Sequence, residues 1–123
     1  MSAAHQPLIN AAREFNAGRY FEAHEALEDA LDDAPDELWG LFTGLIHIAV
    51  GYHKATQQLR NGALRMLESG LRKVACYPAD AGRMNLDALR IRVRDDIDRL
   101  RSSKFDLDAL AQHPPRLQPL AGA

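Results

Sequence analysis

Apolar residues recur along this chain at spacings of three and four, and no run of four or more residues alternates apolar and polar as a half-buried strand would. The pattern predicts an all-α protein of five helices. A first helix is predicted from about Gln6 to Asn16, with Leu8, Ile9, Ala12 and Phe15 on one stripe and Gly18 as the left-handed residue that ends it. A second runs from about Tyr20 to Asp33 and stops before Pro35, whose ring disfavours helical geometry at the residue before it. Asp36 is placed to cap a third, about Asp36 to Leu59, which is apolar nearly all round and so belongs in the middle of the protein. Beyond the turn at Asn61-Gly62, a fourth helix from about Ala63 to Cys76 stops before Pro78. A fifth, about Leu86 to Ser102, carries Leu86, Leu89, Val93, Ile97 and Leu100 on one stripe. The helical domain is expected to cover residues 1–113, with residues 114–123, rich in proline, as a loosely ordered tail.

Residues 22–31 line up with residues 62–71, with small residues at 23/63 and 30/70 and leucine at 27/67 and 31/71. The run Gly18, Tyr20, Ala23, Leu27, Ala30, Pro35 resembles one tetratricopeptide repeat. The resemblance implies that the first four helices form two tetratricopeptide-like hairpins, packed in a repeat-like way without making a true peptide-binding array. Gly40, Gly44 and Gly51 share one side of the third helix, where close helix packing is expected.

Composition narrows the function classes. The chain has 123 residues, 46% of them apolar, which is enough for one domain with a core. Cys76 is the only cysteine, so no intrachain disulfide or multi-cysteine metal cluster forms. No apolar stretch approaches the roughly 20 residues that span a bilayer, and the amino terminus lacks a signal pattern, so the expectation is a soluble, cytoplasmic protein with no membrane partner. A net charge of -2 gives no nucleic-acid footprint. That total hides acidic residues concentrated in 1–40 and basic ones in 41–83, which are expected to lie against each other within the molecule. Arg90, Arg94 and Arg101 interleave with Asp87, Asp95, Asp96 and Asp98 and read as a solvated, salt-bridged face.

The residues with chemical potential sit on the second and third helices. His24 and Glu28 are four apart and fall inside the apolar arc of the second helix, where Tyr20, Ala23 and Leu27 also lie and which Phe21 bounds on its far side, and His53 falls among Phe42, Ala49 and Ile46 on the third. His53, rather than His47, is the histidine expected inside. If the two helices pack through these faces, His24, Glu28 and His53 meet. Burying such groups without partners costs several kcal/mol, so something must satisfy them. One reading is a buried hydrogen-bonded pair, completed by Tyr20 or Tyr52, that fixes helix register. A second is a divalent metal, zinc or iron, held by the two imidazoles and the carboxylate. A third is a metal-free pocket for a small polar ligand or for acid–base chemistry, with Tyr20, Glu25 and His47 as further ligand contacts. The run His24-Glu25-Ala26-Leu27-Glu28 differs from the zinc-protease pattern by Glu28 standing where a second histidine would be, and the protease inference fails there.

From Gly18-Arg19-Tyr20-Phe21-Glu22-Ala23-His24-Glu25-Ala26-Leu27-Glu28 through Gly44-Leu45-Ile46, Ala49, His53 and Asn61-Gly62-Ala63, the chain resembles the helical family called domain of unknown function 309. The resemblance implies a compact all-helical domain, found mainly in prokaryotes, with no assigned biochemical role. It marks Glu22, His24, Glu25, Glu28 and His53 as motif positions. Leu31 departs from the family look, where a tryptophan is common, and so does His47, where glutamine or an aliphatic residue is usual.

The function expected from all this is a small binding or accessory module with a buried His/Glu site, whose partner is a small polar ligand, a protein or a second copy in a homodimer. The alternative is a metal-dependent or acid–base enzyme, hydrolase-like, using His24, Glu28 and His53. Cys76 is expected as a small buried hydrophobe, and Trp39 as a core residue or an edge anchor for a partner.

Overall fold

The computed structural model describes residues 5–120. Its helices are α1 (His5–Asn16), α2 (Tyr20–Leu31), α3 (Trp39–Thr56), α4 (Arg60–Val74), α5 (Leu86–Arg101) and the short α6 (Ala109–Gln112), with 3-10 turns at Asp36–Leu38 and Ala81–Arg83. No strand occurs among the described residues, and none of their helices is long and apolar enough to cross a membrane. Each of the first five helices packs on its neighbour in sequence, most extensively α3 on α4. The central position expected for α3 follows from its composition: Leu41, Phe42, Ile48 and Tyr52 are all but sealed from solvent.

The two hairpin turns close in the same way. At the end of α1 the N–H of Arg19 donates to Glu14 O at 2.9 Å and that of Gly18 to Phe15 O at 3.0 Å. At the end of α3 the N–H of Leu59 donates to Lys54 O and that of Gln58 to Ala55 O, both at 3.0 Å. Each is a Schellman closure, and each needs a left-handed residue, supplied by Gly18 at φ +80 and by Gln58 at φ +63. Gln58 stands 40 residues after Gly18, the offset of the internal sequence match. It also explains why α3 stops at Thr56 and not near Leu59. A second boundary differs because Asp36 opens a separate 3-10 turn whose N-cap residue, Pro35, makes no side-chain cap bond, so α3 begins only at Trp39.

The α3–α4 contact depends on paired glycines. A Cβ on Gly70 would lie 2.6 Å from Ile48 Cγ1 and 2.7 Å from Gly44 O, and one on Gly44 would lie 3.2 Å from Gly70 O. Backbone therefore meets backbone, the use expected for this stripe.

Residues 114–120 differ from the loose tail expected. Leu117 is only 3% exposed and abuts Phe15, Leu27, Leu45 and Leu89 around a small internal void. Asn16 brackets its backbone, donating to Leu117 O at 2.9 Å and accepting from its N–H at 2.7 Å. Asn85 N–H donates to Gln118 O at 2.8 Å and Leu120 N–H to Arg83 O at 3.0 Å. The prolines punctuate this segment without freeing it. Residues 121–123 of the expected tail lie outside the described residues. Cys76, just past α4, is exposed and not the buried residue expected, and Trp39, at the start of α3, is 51% exposed, which excludes the core position among its two expected ones.

Candidate functional site

The structure brings only part of the expected constellation together. His24 is half-buried, and because a carbonyl can only accept, its Nδ1–H donates to Phe21 O, at 2.7 Å. That leaves Nε2 toward Glu28, whose Oε2 lies 3.6 Å away, beyond hydrogen-bond distance. Glu28 is not interior: its side chain is 56% exposed. His53 is half-buried and meets His24 only through a shared neighbour, Phe21, whose ring centroid is 4.9 Å from the His24 ring and 5.4 Å from that of His53. Phe21 is itself 44% exposed. Counting it as a core residue widens the apolar arc of α2 and draws Glu28 into it; the true arc ends at His24.

His53 is no more interior than His47, which is also half-buried and lies with Nδ1 2.9 Å from Ser69 Oγ. Burial and the neighbouring Lys73 ammonium push the His47 imidazole below its ordinary range. Glu25 is exposed on the groove between α1 and α2. Among the described residues no group of three His, Cys, Asp or Glu side chains is arranged to hold an ion, so the zinc or iron set built on His24, Glu28 and His53 does not assemble.

The buried polar centre lies elsewhere. Asp96 on α5 is fully buried and accepts from three donors: Tyr52 Oη at 2.6 Å and Arg92 Nε at 2.8 Å on Oδ2, and an Arg99 guanidinium nitrogen at 2.8 Å on Oδ1. Each charge-assisted bond offsets part of the carboxylate's desolvation. Burial, then the adjacent carboxylate, raise the Tyr52 phenol well above its ordinary value, so it remains a donor. Taking Asp95, Asp96 and Asp98 together as one solvated row hides this site, although Asp96 falls on the α5 stripe beside Leu89, Val93 and Leu100 when placed on a helical wheel.

Tyr52 also forms part of the floor of a cavity of about 370 Å³. Its walls come from the α1–α2 turn (Asn16, Ala17, Gly18), the start of α2 (Tyr20), the end of α3 (Tyr52, Ala55, Thr56, Gln58) and the segment carrying Leu107, Asp108, Leu110, Ala111 and Pro114. Gln58 Nε2 donates to Asp108 Oδ1 at 2.9 Å, tying two of these walls together. The rings of Tyr20 and Tyr52 stand 5.6 Å apart and each meets Phe15 edge-on. Burial raises the Tyr20 phenol above its ordinary value. Its hydroxyl makes no hydrogen bond with the described residues and stays a neutral donor on a residue that lines the cavity. Of the expected ligand contacts, Tyr20 alone reaches this cavity; Glu25 and His47 do not line it.

No curated protein matches the chain. Residues 8–66, which hold nearly all of α1, the whole of α2 and α3 and the opening turns of α4, match a family model described as Domain of unknown function (DUF309). Three of the four walls around the tyrosine cavity, the shared Phe21 contact and the first hairpin closure all fall within that match. Through residues 8–66 this helical chain is thus similar to the DUF309 family.

Proposed function

We propose that the protein is a small-molecule binding module whose ligand occupies the cavity over Tyr20 and Tyr52. The observation that carries this reading is Tyr20, which lines a cavity of about 370 Å³ and whose hydroxyl has no protein hydrogen bond among the described residues. That volume lies within the roughly 300–1,000 Å³ of small-molecule sites, where a mostly apolar lining with few polar groups is the rule. Ala17, Ala55, Leu107, Leu110 and Pro114 supply the apolar contacts. The chemistry that fits is a compact, largely apolar molecule with one hydrogen-bond acceptor, such as a carbonyl, placed against Tyr20.

Asp96 and its three donors hold the Tyr52 ring in place beneath the ligand, so the floor is set before binding. The test is ligand-observed NMR with a set of small aromatic and aliphatic ketones, amides and acids, on wild type and on the cavity-filling variant Ala111→Trp. Members that bind wild type and not the variant support the proposal. Failure of every member to bind, or binding indifferent to Ala111→Trp, counts against it.

A further inference from the structure

Three rows of side chains run side by side on one face of the protein. The middle row is the outward stripe of α3, where Trp39, Thr43, Ile46, Val50 and His53 are spaced three and four apart. Trp39 is 51% exposed, Thr43, Val50 and His53 are half-buried, and Ile46 between them is buried. α2 forms one lip, with the exposed Phe21 packed on His53. α4 forms the other, with Ser69 against His47 and a Cβ on Gly44 reaching to 3.0 Å from Lys73 Cβ.

The lips carry opposite charge. α2 has no lysine or arginine, and Glu28 and, just past its end, Asp32 are exposed. The opposite lip carries Arg65, Arg72 and Lys73, joined by Lys54 of α3. Glu68, the acidic residue of α4, is already taken by Arg101 at 2.8 Å. Acidic amino-terminal and basic middle residues are expected to neutralise one another within the molecule, yet among the described residues no ion pair joins α2 to α4. The α3 ridge keeps them apart.

We infer that this face is the contact of a homodimer whose two-fold axis runs along α3. That rotation lays each α3 stripe on its mate in parallel and carries the acidic lip of each copy over the basic lip of the other. An axis turned across the helices stacks acid on acid and base on base, which like-charge repulsion disfavours. A second copy is the fitting occupant because the pattern is complementary to itself under that single operation. Phe21 and Trp39 supply exposed aromatic anchors beside the charged lips.

Sedimentation equilibrium, on full-length protein carrying Cys76→Ser, tests the inference. Wild type is expected to dimerise, more weakly in high salt. Reversal of the acidic lip (Glu28→Lys, Asp32→Lys) and, separately, of the basic lip (Arg65→Glu, Arg72→Glu, Lys73→Glu) is expected to weaken the homodimer about tenfold or more, and mixing the two reversed proteins to restore association. Should either reversed protein fail to fold, by circular dichroism, single cysteines decide. With the axis along α3, both Thr43→Cys and Val50→Cys crosslink to their own mates through a short bismaleimide. A monomer at all concentrations, a dimer indifferent to the reversals, or failure of either cysteine to crosslink overturns the inference.

Discussion

The Tyr52 hydroxyl donates to Asp96 Oδ2 at 2.6 Å inside the protein, joining the central helix α3 to α5. The carboxylate is wholly buried, so removing it strands the phenol and uncouples two guanidinium groups at once. Asp96→Ala is expected to cost about 3–5 kcal/mol, the loss seen when a buried ion pair is left with one partner. Tyr52→Phe removes one bond to a charged group and is expected to cost about 1.5–3 kcal/mol. Urea unfolding of both variants checks the order and the size. Equal, small losses contradict the network.

Leu117 should behave as a core residue. Leu117→Ala is expected to cost about 2–4 kcal/mol, as for other buried leucines, and Asn16→Ala about 1–3 kcal/mol because two backbone groups lose their partner. Thermal unfolding distinguishes this from a free tail, for which either change would be silent.

The His24 and Glu28 pair is expected to matter little for stability. Their 3.6 Å contact is long and Glu28 is more than half exposed, so Glu28→Gln should change unfolding free energy by less than about 0.5 kcal/mol. A buried His/Glu network would lose several times more. The same urea measurement separates the two.

How far the sequence discloses this molecule can be traced residue by residue. The five long helices are legible because their apolar spacing is strong, and Gly18 marks its turn by type. Gln58 hides the equivalent turn, since nothing in a glutamine announces a left-handed backbone. Glu28 is misplaced because Phe21, an exposed aromatic, looks like the edge of a core. Asp96 escapes notice for the opposite reason: charge suggests solvent, while its position on the α5 stripe says interior. The tyrosine cavity is not legible, because Leu107, Leu110 and Pro114 come from a segment that meets the other walls only through long-range contacts such as Gln58 to Asp108, 50 residues apart.

His47 gives a signed pH dependence. Its imidazole is held below the ordinary range, first by burial and then by Lys73, so the unfolded chain takes up a proton before the folded protein does. This group's contribution to stability is therefore present above about pH 6.5 and is lost as pH falls below it. His47→Gln should lose less stability than wild type on moving from neutral to mildly acidic buffer. Parallel curves for the two proteins, from chemical unfolding at each pH, would remove His47 from the account.

Chemical-shift mapping with a bound ketone or amide locates the ligand against the cavity over Tyr20. The expected result is perturbation centred on Tyr20, Tyr52, Ala55 and Leu110, with affinity falling about tenfold in Tyr20→Phe, the equivalent of roughly one lost hydrogen bond. Perturbation centred instead on Phe21, His24 and His53, or affinity unchanged by Tyr20→Phe, would contradict it.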